Sequence, residues 1–475
     1  MNYLLNKSNN EWTPSPLEKG GMRLVWSYFI LLLFISSCTT QKVTSQTNTS
    51  PTVKPKEEKT GEVFQEEKKQ DDLPLGPDTF DIGLILPFYL DSVSRLPDSV
   101  EVNYFDQSTL AIEFYNGVKM ALNQLSSFGF NARLHVYDDM NDKERVKKIA
   151  QLPVFKKLDL LLGPVYNNNL RLMAESAKRD SVFMVSPLSP AMNITNQNPY
   201  YIMVNPSIEV HCKKLFAHAI HRYNGNNILL FTRPGSAVEE QYASLFRTFL
   251  NEYHAETGDT SVQFTEVRFL PKDEGGDDLT SVDEALAKNF SSDGYNIVIV
   301  PSVDKAYIHS IARKLYAFIE PPKEIEDAPK FAINILGLPA WGDQEGMRLD
   351  YAQKLNVHFT SSSFIAPDFY SPANPFYKSY VDSFHAEPSE YAIKGYDLML
   401  FFGNLLVKYG AQVDSMLYVE QFNGIHTKFR FGIHPAELNS PNPIDGSPAI
   451  PVTDFIENKY VRLLKYEGYE VKEVE

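Results

Sequence analysis

The stretch Phe80-Asp81-Ile82-Gly83-Leu84-Ile85-Leu86-Pro87 decides the fold. Its aliphatic residues run on without alternating with polar ones, as in a strand covered on both faces of a parallel sheet. A helical stretch follows over 109–125, with apolar residues at 110, 114, 118, 121, 122 and 125. The alternation continues, with strands expected over 132–137, 158–162 and 182–185 and helices over 142–151 and 167–178. Repeated strand–helix units imply a parallel sheet built from right-handed crossovers.

The same alternation then starts again. Strands are expected over 200–204, 227–231, 263–269, 297–300, 331–336 and 357–361, with helices over 207–223, 237–254, 281–290 and 304–318. Helices over 376–384 and 391–409 and strands over 427–431 and 459–466 complete the chain. The expected fold class is α/β, with two Rossmann-like lobes of parallel sheet and a cleft between them. In such sheets ligands sit at the carboxyl ends of the strands.

The chain has 475 residues and a net charge of −15, which argues against a nucleic-acid partner. Its two cysteines, Cys38 and Cys212, exclude a four-cysteine metal site and a disulfide scaffold. Cys212 sits in an apolar helical pattern and reads as a small buried thiol.

The N-terminus points to export. Leu24 to Ile35 form an apolar run preceded by Arg23, too short to span a bilayer but suited to a signal peptide. Met22 is a plausible true start. Ile35-Ser36-Ser37-Cys38 resembles the bacterial lipobox, in which the cysteine thiol is acylated and becomes N-terminal. The resemblance implies a signal peptide over 1–37 and a membrane anchor at Cys38; several acyl chains hold firmly where one is marginal. Residues 39–78, rich in Thr, Ser, Lys, Glu and Pro with the single aromatic Phe64, read as a disordered tether. Its r.m.s. reach would be ~35 Å. Thr39 after the cysteine favours the outer membrane by analogy, on its periplasmic face.

The order of several segments resembles type I periplasmic binding proteins, the leucine/isoleucine/valine-binding group. These are IGLILPF (82–88), FYNGVKMALNQL (114–125), YDD (137–139), LLGPVYNNN (161–169), VSPLSP (185–190), NPFYKSYVDSF (374–384), YAIKGYDLMLFFGNLL (391–406) and FNGIHTKFRF (422–431). The resemblance implies three hinge crossings, near Asn205, Phe364 and Gly424. Lobe one would be 79–205 plus 364–424, and lobe two 206–363 plus 425–475.

It also implies a ligand site. The family often carries GPxxS after the third strand, with the serine on a ligand carboxylate; here Asn167 stands in its place, after Tyr166. A helix N-terminus there favours an anion, although Asn167 could equally be an N-cap. Ser186 and Ser189 bracket the next loop, where Pro190 removes one backbone donor. Trp341 and Asp343 occupy the second-lobe loop where amino-acid binders commonly place an acid. Phe88 is a candidate cleft wall and Arg233 a candidate anion contact, each with an ordinary structural alternative.

No catalytic motif survives inspection. Ser302-Val303-Asp304-Lys305 matches S-x-x-K, but Lys59-Thr60-Gly61 precedes it in the tether, the wrong order, and S-D-N is missing. His211, His218 and His221 form no H-E-x-x-H zinc motif, and Asp273–Asp278 reads as a solvated loop. No cofactor or metal is expected. The resemblances to the lipobox and to type I periplasmic binding proteins imply a non-enzymatic, lipid-anchored periplasmic protein that captures a small polar, amino-acid-like ligand for an ABC permease or a sensor. The alternative is an outer-membrane interaction module without a ligand, one that activates a cell-wall (peptidoglycan) synthase by protein contact. The anchor is tested by metabolic labelling with palmitate. The wild type should incorporate label and Cys38→Ser should not; labelling of the variant contradicts the assignment.

Overall fold

The computed structural model describes residues 79–93, 104–223, 227–271, 280–292, 294–320, 331–343, 347–410, 413–435 and 453–474. Residues 1–78, which hold the expected signal peptide, lipidated Cys38 and tether, and Asp273–Asp278 lie outside these residues.

Two seven-stranded sheets organise the chain. The first contains β1 (Thr79–Leu86), β2 (Asn131–Asp138), β3 (Leu160–Leu162), β4 (Met184–Ser186) and β5 (Tyr201–Met203). The second contains β6 (Ile228–Thr232), β7 (Phe264–Arg268), β8 (Tyr295–Val300), β9 (Ala332–Gly337) and β10 (His358–Ser361). Later come a small pair, β11 (Phe422–Asn423) and β12 (Lys428–Phe429), then β13 (Phe431–Pro435), β14 (Thr453–Asn458), β15 (Arg462–Glu467) and β16 (Glu470–Glu473). Strand order is β13-β14-β5-β4-β3-β1-β2 in one sheet and β16-β15-β10-β9-β8-β6-β7 in the other. Both are mostly parallel, as expected; at the edges β13 runs antiparallel to β14, β15 to β10 and β16 to β15.

Strand β1 shows why the apolar run forms. Ile82, Leu84 and Leu86 enter the core on one face, and Ile85 enters the core on the other. The first face is covered by the helices Tyr104–Ser126 and Glu390–Tyr409, the second by Lys143–Ala150 and Asn167–Asp180. In the second sheet, Ile208–Tyr223 and Ala237–Thr257 cover one face. Thr280–Asn289 and Lys305–Ile319 cover the other. Cys212 is a buried free thiol in that packing.

The chain passes between the sheets three times among the described residues. It leaves the first sheet after β5 and enters the second at β6. It returns after β10, where Phe364 packs on the second core and Ile365 on the first. The expected third passage near Gly424 is corrected. β13 and β14 both belong to the first sheet, with β14 parallel to β5, so the chain changes sheets between Asn458 and Arg462. The cause is β14 itself. Its sequence Thr-Asp-Phe-Ile-Glu-Asn carries few apolar residues, because Glu457 and Asn458 are buried for polar reasons.

The helices Tyr104–Ser126 and Glu390–Tyr409 approach so closely that glycine is required. A Cβ on Gly117 would overlap the Ala392 carbonyl oxygen, and one on Gly395 the Phe114 carbonyl oxygen. Overpacking of this kind costs roughly 1–3 kcal/mol. Gly117→Ala should therefore lower the urea midpoint by that equivalent, while Gly294→Ala, whose Cβ meets nothing within 4 Å, should not. Equal effects from the two substitutions contradict the packing account.

Candidate ligand-binding site

The carboxyl ends of the first-sheet strands build a cavity. The loop after β1 holds Tyr89 at φ 57°, and the loop after β2 holds Met140 at φ 47° and Asn141 at φ 54°. Side chains other than glycine adopt this region only when their surroundings enforce it. Asp138 supplies the enforcement. Its carboxylate accepts the backbone N–H groups of Phe88 (2.9 Å), Tyr89 (3.1 Å), Leu90 (2.9 Å) and Met140 (3.0 Å). The adjacent Asp139 is fully buried and accepts from Asn141 N (3.2 Å) and Asn169 Nδ2 (2.8 Å). Burial raises its pKa, against those hydrogen bonds. Tyr89 lies against Tyr166, and burial and that neighbour push its phenol up to about 12.

The cavity is about 610 Å³. Its polar lining is Asn141, Tyr166, Asn167, Asn168, Arg171 and Ser189. Leu110, Val165, Leu188 and Pro190 form its apolar wall. Helix Asn167–Asp180 opens into it with Tyr166 as N-cap, and Tyr166 gives no side-chain cap bond. Asn167 is thus the first helical residue and not the N-cap. Its Oδ1 accepts from Ser189 Oγ at 2.6 Å, and Ser189 Oγ in turn accepts from Ala191 N at 3.2 Å. Arg171 is held by Asn193, to the carbonyl at 3.3 Å and to Oδ1 at 3.0 Å.

Tyr166, Asn167 and Ser189 therefore come together as their sequence positions imply. The other four candidates do not join them. Ser186 is fully buried on β4, beneath the loop that carries Ser189. Phe88 packs in the core, edge-on to Tyr115 at 6.0 Å. Trp341 is fully buried in the second-sheet core, its carbonyl accepting from Tyr466 Oη at 3.0 Å. Arg233 is consumed locally: it donates to Asp304 at 2.9 Å, sits 3.5 Å from Glu239 and stacks on Tyr307 at 4.7 Å. It lines a separate depression of about 560 Å³ with Arg247 and Arg268. Asp343 pairs with Lys305, and Ser302 donates to Glu239, so the S-x-x-K resemblance has no free pair behind it.

Sequence reasoning missed Arg171 and the polar cluster where the sheets join. Lys394 and Asp397 lie three residues apart on an otherwise apolar helix, a signal for a buried polar role. Lys394 donates to Asn205 Oδ1 at 2.5 Å, and Asn205 Nδ2 donates to the Leu188 carbonyl at 2.5 Å. The first crossing is thereby tied to the cavity loop. Burial lowers the Lys394 pKa to about 8, against Glu390 and Asp397. Asp397 accepts the N–H groups of Ile425 (3.0 Å), His426 (2.8 Å) and Thr427 (3.0 Å). Burial still raises its pKa to about 6. Any Cβ on Gly424 would overlap the Asp397 carboxylate, and Phe364 N donates to the His426 carbonyl at 3.0 Å.

Glu457 ties the first crossing to the third. It is fully buried, accepts Ser207 N at 2.7 Å, and pairs with Lys459 and with His434 at 3.6 Å. Burial alone would raise its pKa. Those partners outweigh burial and hold it at about 2.

No protein-family model matches the sequence, and no curated protein matches it. Solved structures do. A protein described as a branched-chain amino acid ABC transporter from Rhodospirillum rubrum overlaps with a TM-score of 0.55 at 11% identity, over 83% of this chain and 100% of that one. A branched chain amino acid ABC transporter periplasmic ligand-binding protein from Burkholderia xenovorans gives 0.52 at 13% identity, over 83% and 94%. The LpoA C-domain from Haemophilus influenzae, described as a regulator of PBP1A, gives 0.48 at 13% identity, over 83% and 100%, too loose to carry an argument. At these identities the likeness concerns architecture. The chain has the fold of the type I periplasmic binding proteins.

The Glu457 anchor has a pH signature. Its ordinary pKa is 4.5 and its folded value about 2, so the charged form is favoured by folding. This contributes roughly 3 kcal/mol, present above about pH 4.5 and lost as pH falls toward 2. Glu457→Gln should destabilise strongly at pH 7 and much less at pH 3 in urea unfolding. A pH-independent difference contradicts the assignment.

Proposed function

We propose that the protein is a non-enzymatic, lipid-anchored periplasmic solute-binding protein. It captures a small polar ligand, bearing a carboxylate of the kind amino acids carry, for ABC-type uptake or sensing. One observation carries this reading. A cavity of about 610 Å³ at the carboxyl ends of parallel strands combines an apolar wall with Asn167, Arg171 and Ser189. That is the size and composition of a small-molecule site. Closure of the two sheets about the crossings would then shift the population toward a form that a permease or receptor reads.

A second reading is an interaction module without a ligand, acting on a cell-wall synthase. It is favoured by the one-sided cavity: none of its described lining residues comes from the second sheet. Trp341 and Asp343, the expected second-lobe contacts, are committed elsewhere.

Thermal unfolding of the purified protein with amino acids, short peptides, nucleosides and wall fragments separates the two. Ligand at 100 times its Kd adds ~2.7 kcal/mol and several degrees to the midpoint. A shift with one chemical class supports solute binding. A flat panel, with no ligand co-purifying, contradicts it and favours the protein-contact module.

A further inference from the structure

The charge inventory of this cavity identifies the ligand class more closely. We infer that it takes a carboxylate with an apolar body and no neighbouring ammonium group. The inference rests on the solute-binding reading of the same cavity.

The polar side chains lining the cavity are the Arg171 guanidinium, the Tyr166 phenol, the Ser189 hydroxyl and the neutral amides of Asn141, Asn167 and Asn168. Arg171 brings a guanidinium; its Nε and one Nη2 hydrogen serve Asn193, and the remaining Nη1–Nη2 edge matches a carboxylate. Ser189 spends its proton on Asn167 Oδ1. That leaves the Asn167 Nδ2 group as the donor end of the amide. No acidic side chain is among the described lining residues.

The described lining offers an α-ammonium neutral amide and phenol oxygens but no carboxylate to compensate its charge, and placing a cation there is costly, more so beside a guanidinium. The carboxylates closest in sequence to the lining are already engaged. Asp138 receives four backbone N–H groups, Asp139 is fully buried against Asn169, Asp142 caps the following helix through Arg145 N, and Glu113 accepts from the Ser389 hydroxyl. On the second sheet, Asp304 and Glu239 hold Arg233, and Asp343 holds Lys305. The rest of the cavity is apolar, from Leu110, Val165, Leu188 and Pro190. That surface suits a branched aliphatic or aromatic body.

The test uses matched pairs that differ only in the ammonium group: 4-methylpentanoate against leucine, and 3-phenylpropionate against phenylalanine. Each is titrated calorimetrically into the wild type and into Arg171→Gln. Arg171 donates to Asn193 and is part-exposed, so the variant should fold, as its melting curve verifies. The expected result is that one carboxylate binds at least roughly tenfold tighter than its amino-acid partner, about 1.4 kcal/mol, and that Arg171→Gln removes roughly that much. An amino acid that binds as tightly as its partner, or tighter, overturns the inference and leaves solute binding standing. Carboxylate binding that Arg171→Gln does not alter overturns the placement in this cavity. Failure of every pair overturns the inference; if the broad ligand panel still gives a shift, solute binding survives it.

Discussion

Two buried carboxylates hold the places where the chain passes from sheet to sheet. Glu457 receives Ser207 N from the first crossing and pairs with Lys459 at the third. Asp397 receives three successive N–H groups from the loop at Ile425–Thr427, and that loop's His426 carbonyl receives Phe364 N from the second. A buried charge survives only with such partners. The two carboxylates nevertheless differ in state. Salt-bridge partners outweigh burial and hold Glu457 at about 2, while burial raises Asp397 to about 6 against its three backbone N–H partners and Arg462.

The fold was legible wherever burial is apolar. The uninterrupted aliphatic run of β1 and the apolar spacing of helix Tyr104–Ser126 each matched a real element, since hydrophobic burial writes a period into the sequence. Legibility failed at β14. Its Glu457 and Asn458 are buried to serve the crossings, Asn458 receiving Arg430 N at 2.9 Å and donating to the Lys428 carbonyl at 3.0 Å. A strand whose buried residues serve a crossing carries polar side chains, and pattern reading takes it for a loop.

The site divides along the same line. Tyr166, Asn167 and Ser189 lie on loops directly after buried strands, where strand position alone places them at the cleft. Trp341 and Phe88 also follow strands, yet packing decides their fate. Gly337 leaves room for the Trp341 ring, and Tyr115 meets Phe88 edge-on. Arg171 was invisible because it lies one helical turn beyond the loop, where sequence alone does not distinguish a cavity wall from a solvated face. Its position gives the cavity its positive character and links fold to ligand chemistry. The relay from the Leu188 carbonyl through Asn205 to Lys394 places that chemistry one hydrogen bond from the first crossing.

The central claim is that the crossings are pinned by these carboxylates, and native-state hydrogen exchange tests it directly. The amides of Ser207, Ile425, His426 and Thr427 donate to Glu457 or Asp397 outside any sheet ladder or helix. The account predicts that they exchange as slowly as the central strands of the sheets, opening only with global unfolding. Exchange at the rate of exposed loop amides would contradict it.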